Sequence, residues 1–174
     1  MNNTVKLLCF VFLLVALSCS FSCGYSFVKL NENLPPDART VYIPPFENMT
    51  TEPDLGFIIA SALSREFIKS GVLLPVSKGD ADLEIAGIVT SQTYKNKAYD
   101  EDDDVFLIEG SVTVGVELKN RDGSVSWSAD GISDSDDFRI GGAGVVLDVG
   151  KKDAMARLCE EIARDIHDRI VFGY

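Results

Sequence analysis

Between residues 111 and 119 the chain alternates with a period of two. Val112, Val114, Val116 and Leu118 fall on one face, and Ser111, Thr113, Glu117 and Lys119 on the other. Successive strand side chains point to opposite sides of a sheet, so this stretch reads as a strand with one dry and one wet face. Asn120-Arg121-Asp122-Gly123 supplies a hairpin turn, and Val125, Trp127 and Ala129 carry the apolar face onto the next strand. Upstream, after a turn at Lys78-Gly79-Asp80, Leu83, Ile85, Gly87 and Val89 alternate with Glu84, Ala86, Ile88 and Thr90. Two or three antiparallel strands therefore sit mid-chain, and their shared apolar face has to be covered.

Two helical stripes can cover it. Leu55, Ile58, Ile59, Ala62, Leu63 and Phe67 recur at helical spacing. Thr51-Glu52-Pro53-Asp54 ahead of them offers a capping Thr, an early Pro and acids, and Gly71 ends the run. Met155, Leu158, Cys159, Ile162, Ile166 and Ile170 form a second stripe, on a helix from about Lys151 to Val171. Cys159 is expected in its core face and His167 on its surface, beside Arg164 and Asp168. A strand at Arg39–Ile43, stopped by Pro44 and Pro45, and another at Val72–Val76 flank the first helix as a βαβ crossover. The expected fold is a single α+β domain: a mostly antiparallel sheet of four to five strands with two helices packed on one face, in the order β-α-β-β-β-β-α. A chain of 174 residues suits one domain and can bury enough surface to need no disulfide or metal.

The N-terminus reads as an address. Lys6 precedes an unbroken apolar run from Leu7 to Leu17, too short to span a bilayer about 30 Å thick and laid out like a secretory signal peptide. It ends in Ser18-Cys19-Ser20-Phe21-Ser22-Cys23, and a small residue before a Cys at that place resembles a bacterial lipobox. Both cysteines follow a Ser. Locally Cys19 fits better, with Val15, Ala16 and Leu17 upstream, whereas Cys23 has a polar Ser20 three positions before it. A Cys19–Cys23 disulfide in an ordinary secreted protein is the alternative.

Charge and missing motifs narrow the chemistry. Lys and Arg number 16 against 27 Asp and Glu, a net charge of −11, which excludes broad electrostatic binding to nucleic acid or a polybasic membrane patch. The acidic run Asp100–Asp104 fails as an EF-hand, because Val105 stands where Gly is needed and Ser111 where Glu is needed, and it reads as a solvated hairpin tip. Gly141-Gly142-Ala143-Gly144 fails both phosphate-loop patterns and reads as a flexible connection. His167 is the one histidine, so a His-based metal cluster or proton shuttle is not expected. No catalytic constellation assembles: the chain is not expected to be an enzyme, nor to hold a cofactor or metal.

Four features in chain order resemble one family. They are Cys23-Gly24-Tyr25-Ser26-Phe27; the stretch Val41-Tyr42-Ile43-Pro44-Pro45-Phe46-Glu47-Asn48-Met49-Thr50; Ala81-Asp82-Leu83-Glu84-Ile85-Ala86-Gly87-Ile88; and the closing amphipathic helix. Together they look like the LPS-assembly lipoproteins, the LptE family. The resemblance favours Cys23 over Cys19 as the lipidated residue. It then implies a signal peptide over 1–22, a lipidated tether over 23–38 and the domain over 39–174. It further implies a lipid-anchored outer-membrane protein of a Gram-negative cell, facing the periplasm. Such a protein partners a large LptD-like β-barrel and assists lipopolysaccharide assembly at the outer leaflet, with lipopolysaccharide itself a further candidate partner. The Ile-Pro-Pro-Phe-Glu-Asn-Met-Thr stretch is also similar to accessory lipoproteins of the CsgG and LpoB type, which bind a secretion pore or a cell-wall synthase. Candidate contacts for the barrel or the glycolipid are Tyr94, Lys95 and Lys97 at the hairpin tip around Tyr94–Asp104, and Arg121 in the Asn120–Gly123 turn.

Overall fold

The computed structural model describes residues 34–99, 105–139 and 146–173. Cys19, Cys23, the acidic run 100–104 and the Gly141–Gly144 connection lie outside them. The elements are β1 (Thr40–Tyr42), β2 (Glu47–Asn48), α1 (Leu55–Ser70), β3 (Leu74–Pro75), β4 (Leu83–Tyr99), β5 (Val105–Asn120), β6 (Val125–Arg139) and α2 (Val146–Phe172). The sheet runs β3-β1-β4-β5-β6, with β2 also paired to β4. β4, β5 and β6 are antiparallel, while β1 lies parallel to both β3 and β4. The α+β reading holds, with six strands and a mixed rather than a mostly antiparallel edge.

Three strands run far past their expected ends. β4, β5 and β6 have 17, 16 and 15 residues, a ribbon about 50 Å long. Apolar alternation marks only the half that α1 and α2 cover. Beyond it Thr93, Lys95, Ser111, Ser133 and Ser135 carry no such signal. Residues 94–99, expected in a hairpin tip, are strand.

The covered face buries Leu83, Ile85, Val89, Val112, Val114, Val116, Leu118 and Ile132 against Leu55, Ile59, Leu63 and Phe67 of α1 and Leu158, Ile162, Ile166 and Ile170 of α2. Cys159 is fully buried there, and burial pushes its thiol up to about 12. A thiol reagent should therefore label Cys159 no faster than the folded domain opens; rapid labelling at that position would contradict its place in the core. His167 corrects its expected surface position, being only 5 % exposed. α2 packs on α1 as well as on the sheet, so its buried arc is wider than one stripe. His167 falls in the added arc, edge-on to Phe67 at 4.9 Å and bonded through Nδ1 to Asp168 at 2.8 Å. The start of α1 also differs. Its cap residue is Asp54, not Thr51, in a left-handed conformation (φ 63°) that Asp tolerates better than most residues.

The stretch around the two prolines has a packing role. β1 and β2 lie end to end along one edge of β4, Val41 opposite Leu83 and Glu47 opposite Ile88. Pro44 and Pro45, unable to donate to a ladder, fill the gap between them. The bend drives Phe46 inward to 4 % exposure, and its N–H donates to the Gly56 carbonyl at 3.1 Å. A Cβ on Gly87 would stand 2.3 Å from the Phe46 ring, and one on Gly56 would stand 2.0 Å from the Phe46 carbonyl oxygen. Two glycines in different elements thus make the slot that one aromatic fills.

Asp82 ties β1 to the start of β4. Its carboxylate accepts the N–H groups of Arg39 and Thr40 at 3.0 and 3.1 Å and the Thr40 hydroxyl at 2.9 Å, which together hold it below the ordinary carboxylate value of 3.8. A depressed folded pKa contributes stability that is complete above the unfolded value and lost as pH falls through the folded one. Acid unfolding should therefore steepen below about pH 4, and Asp82→Asn should flatten that limb while leaving the neutral-to-alkaline profile unchanged in shape.

Candidate functional site

The candidate contacts occupy opposite ends of the ribbon. Lys95 pairs in register with Glu109, whereas Arg121 follows the Leu83–Asn120 pair at the other end, about 40 Å along β4. No single patch joins them.

At the far end alternation separates Tyr94 from the lysines. Lys97 lies on the open face and is held by Glu109 of β5 at 3.0 Å and by Asp137 of β6, one strand further on, at 3.2 Å. These carboxylates, Glu109 first, raise its pKa. Lys95 is exposed and makes no ion pair among the described residues. Tyr94 turns to the helix side. Its hydroxyl donates to Glu52 Oε2 at 3.0 Å, and its ring meets Phe138 edge-on at 5.8 Å. Lys151 sits 5.0 Å over the same ring and pairs with Glu52 at 2.7 Å. Opposite Tyr94, Gly110 has no room for a Cβ, which would stand 2.7 Å from Met155 Cε. Burial pushes the Tyr94 phenol above its usual range. The cluster fastens the loop before α1, the sheet and the start of α2 together, so Tyr94 is held in packing.

At the near end the turn is fixed by Gly123 (φ 85°), whose N–H donates to the Asn120 carbonyl at 2.9 Å, and by Asp122, which accepts the Ser124 hydroxyl at 2.6 Å. Arg121 donates through Nε to the Ala81 carbonyl at 3.2 Å, bordering a cleft that also holds Tyr42, Lys78, Glu84 and Lys119. Lys78 pairs with Glu84 at 3.4 Å and Lys119 with Glu117 at 2.9 Å. The cations of this acidic chain are largely engaged by neighbouring acids.

Sequence reasoning missed two features. The Phe46 slot left only glycines and a Pro-Pro pair as its signal. The distal half of β6 left almost none, because Asp134 and Asp136 stand where an apolar face should continue. Among the described residues no group of three or more His, Cys, Asp or Glu is placed to hold a metal ion.

A two-layer α+β domain of this kind occurs in solved lipoproteins. The uncharacterized lipoprotein B of Nitrosomonas europaea is 14% identical over 84% of this chain and 90% of its own, with a TM-score of 0.55. A protein described as a lipoprotein from Caulobacter crescentus CB15 is 14% identical over 72% of this chain and 87% of its own, with a TM-score of 0.52. At that identity the likeness defines the fold alone. No curated protein matches the sequence. Residues 38–170 match the family model described as LptE: Lipopolysaccharide-assembly, and the chain belongs to that family.

Proposed function

We propose that this chain is an outer-membrane lipoprotein, acylated at Cys23 and facing the periplasm, that partners a large LptD-like β-barrel and assists lipopolysaccharide assembly at the outer leaflet. The observation that carries the reading is family membership across residues 38–170. The apolar run Leu7–Leu17 followed by Ser-Cys pairs supports the anchor. No helix among the described residues is long and apolar enough to cross a membrane; acyl chains on Cys23 would anchor the protein at about 0.8 kcal/mol per buried CH₂. The role is non-enzymatic: a binding surface does the work.

Affinity purification of the chain from detergent-solubilised membranes tests the partner. Recovery of a barrel protein supports the reading, and recovery of a secretion pore or a cell-wall synthase moves the accessory-lipoprotein alternative ahead. Mass spectrometry tests the anchor. The mature N-terminus should be an acylated Cys23; an acylated Cys19 moves the site, and an unmodified N-terminus removes the lipoprotein reading.

The proposed contacts are the two ends of the ribbon, at Lys95 with Lys97 and at Arg121. Lys95→Ala is the cleaner test, since Lys95→Glu would stand opposite Glu109 in a row with Asp137, and Lys97→Glu would replace the cation that Glu109 and Asp137 hold. It should weaken recovery of the barrel, or binding of lipopolysaccharide, while changing stability by under about 0.5 kcal/mol.

A further inference from the structure

The strand β6 closes the sheet: it pairs with β5 and, among the described residues, with nothing on its other side. Edges of this length are templates for a further strand, and proteins commonly blunt them. Here the blunting is specific. The N–H of Ser135 donates to Asp134 Oδ1 at 2.7 Å, and that of Asp137 to Asp136 Oδ1 at 2.8 Å. Those bonds mark the amides that turn away from β5, each occupied by the carboxylate of the residue before it.

Beside this edge runs a groove between β6 and α2. Its walls are charged, with Asp134, Asp136, Glu161 and Asp165 beside Arg157 and Arg164, over the buried side chains of Ile132, Leu158 and Ile162. Three of these acids already hold an arginine: Asp136 holds Arg157 at 2.8 Å, Asp165 holds Arg169 at 2.9 Å, and Glu161 holds Arg164. Asp134 has no cationic partner among the described residues. An edge strand flanked by a helix over an acid-lined groove can take an extended segment by strand addition, main-chain bonds supplying affinity and alternate side chains specificity.

We propose that the β6 edge accepts an extended, basic segment of a partner protein, its Lys or Arg side chains lying on the groove face beside Asp134 and Asp136. The charge requirement follows from the caps. An apolar or acidic strand would have to pull Asp134 and Asp136 off the Ser135 and Asp137 amides, leaving Asp134 with no counter-ion and Asp136 with Arg157 alone. A strand bearing Lys or Arg gives them new counter-ions while its own carbonyls take over the freed N–H groups. The acids are thus a filter, closed to most strands and open to cationic ones. This stands apart from the barrel reading, because it concerns a different surface and a soluble probe tests it.

The probe is a synthetic decapeptide of alternating Lys and Val, titrated against the full acylated chain in non-ionic detergent. Two control peptides carry Glu for Lys, or N-methyl groups on alternate amides. The expected result is saturable binding of the Lys peptide, with amide exchange at Ser135 and Asp137 slowed at least tenfold. Binding should weaken at least tenfold with the N-methyl peptide, and also with Asp134→Asn plus Asp136→Asn in a chain of unchanged Tm. No binding at about 1 mM overturns the proposal. So does binding that the N-methyl peptide matches, or that leaves those amides unprotected, since either is surface or micelle attraction alone.

Discussion

Phe46→Ala is expected to destabilise the domain by about 3–5 kcal/mol, a large part of the 5–15 kcal/mol that holds most domains folded. The ring is 4 % exposed and lies where β4, α1 and the proline bend meet, so removing it deletes packing from all three. The slot cannot collapse easily, because its walls at Gly56 and Gly87 are backbone, and the cavity term is added to the transfer term. Thermal unfolding should show a loss of roughly 10–20 °C. A loss within experimental error would mean that the bend, not the ring, secures this edge.

The second large effect comes from the same slot and distinguishes its two walls. Gly87→Ala sets a Cβ 2.3 Å from the Phe46 ring, an overpacking that should cost about 1–3 kcal/mol or more. Gly56→Ala sets one 2.0 Å from the Phe46 carbonyl oxygen, where only a backbone shift can relieve it. The two should therefore respond differently to a second change. In a Phe46→Ala background Gly87→Ala becomes nearly neutral, because the obstructing ring is gone. Gly56→Ala keeps its full cost, because the carbonyl remains. A double-mutant cycle measures this directly. Equal coupling of both glycines to Phe46 would show that the loop moves as a unit and that the slot is not two separate walls.

These positions also show what could be read from the sequence. The alternation over residues 111–119 and the two helical stripes are repeated signals from residues that share one environment, so the covered half of the sheet and both helices were legible. The distal ribbon was not, because Thr93, Ser111 and Ser135 face water on one side and little core on the other; hydrogen bonding to neighbouring strands holds them in place. His167 was misplaced because a helix wheel scores one buried stripe, and α2 buries two. Of the candidate contacts, their strand and turn settings were partly readable, but their engagement was not. Lys97 and Tyr94 are tied up by residues 12 or more positions away, Glu109 and Asp137 for one and Glu52 and Lys151 for the other. Chain distance of that kind leaves no local periodicity.

The placement of β1 and β2 on β4 has a consequence for the order in which the molecule is made. Val41 finds its partner at Leu83, Phe46 its slot at Gly87, and Phe67 its neighbour at His167, so β1, β2 and α1 complete their packing only when later chain arrives, although β1 can already pair with β3. The hairpin of β5 and β6, by contrast, closes through one tight turn and needs little loop-closure entropy. If the chain crosses a membrane N-terminus first, as the proposed function has it, residues 40–75 arrive before the strands and helix on which they dock, and the folding nucleus is expected in β5 and β6. Kinetics can show this: Val116→Ala should slow folding, and Phe46→Ala should mainly speed unfolding. The described elements nearest the N-terminus, β1, β2 and α1, are then the last committed to structure.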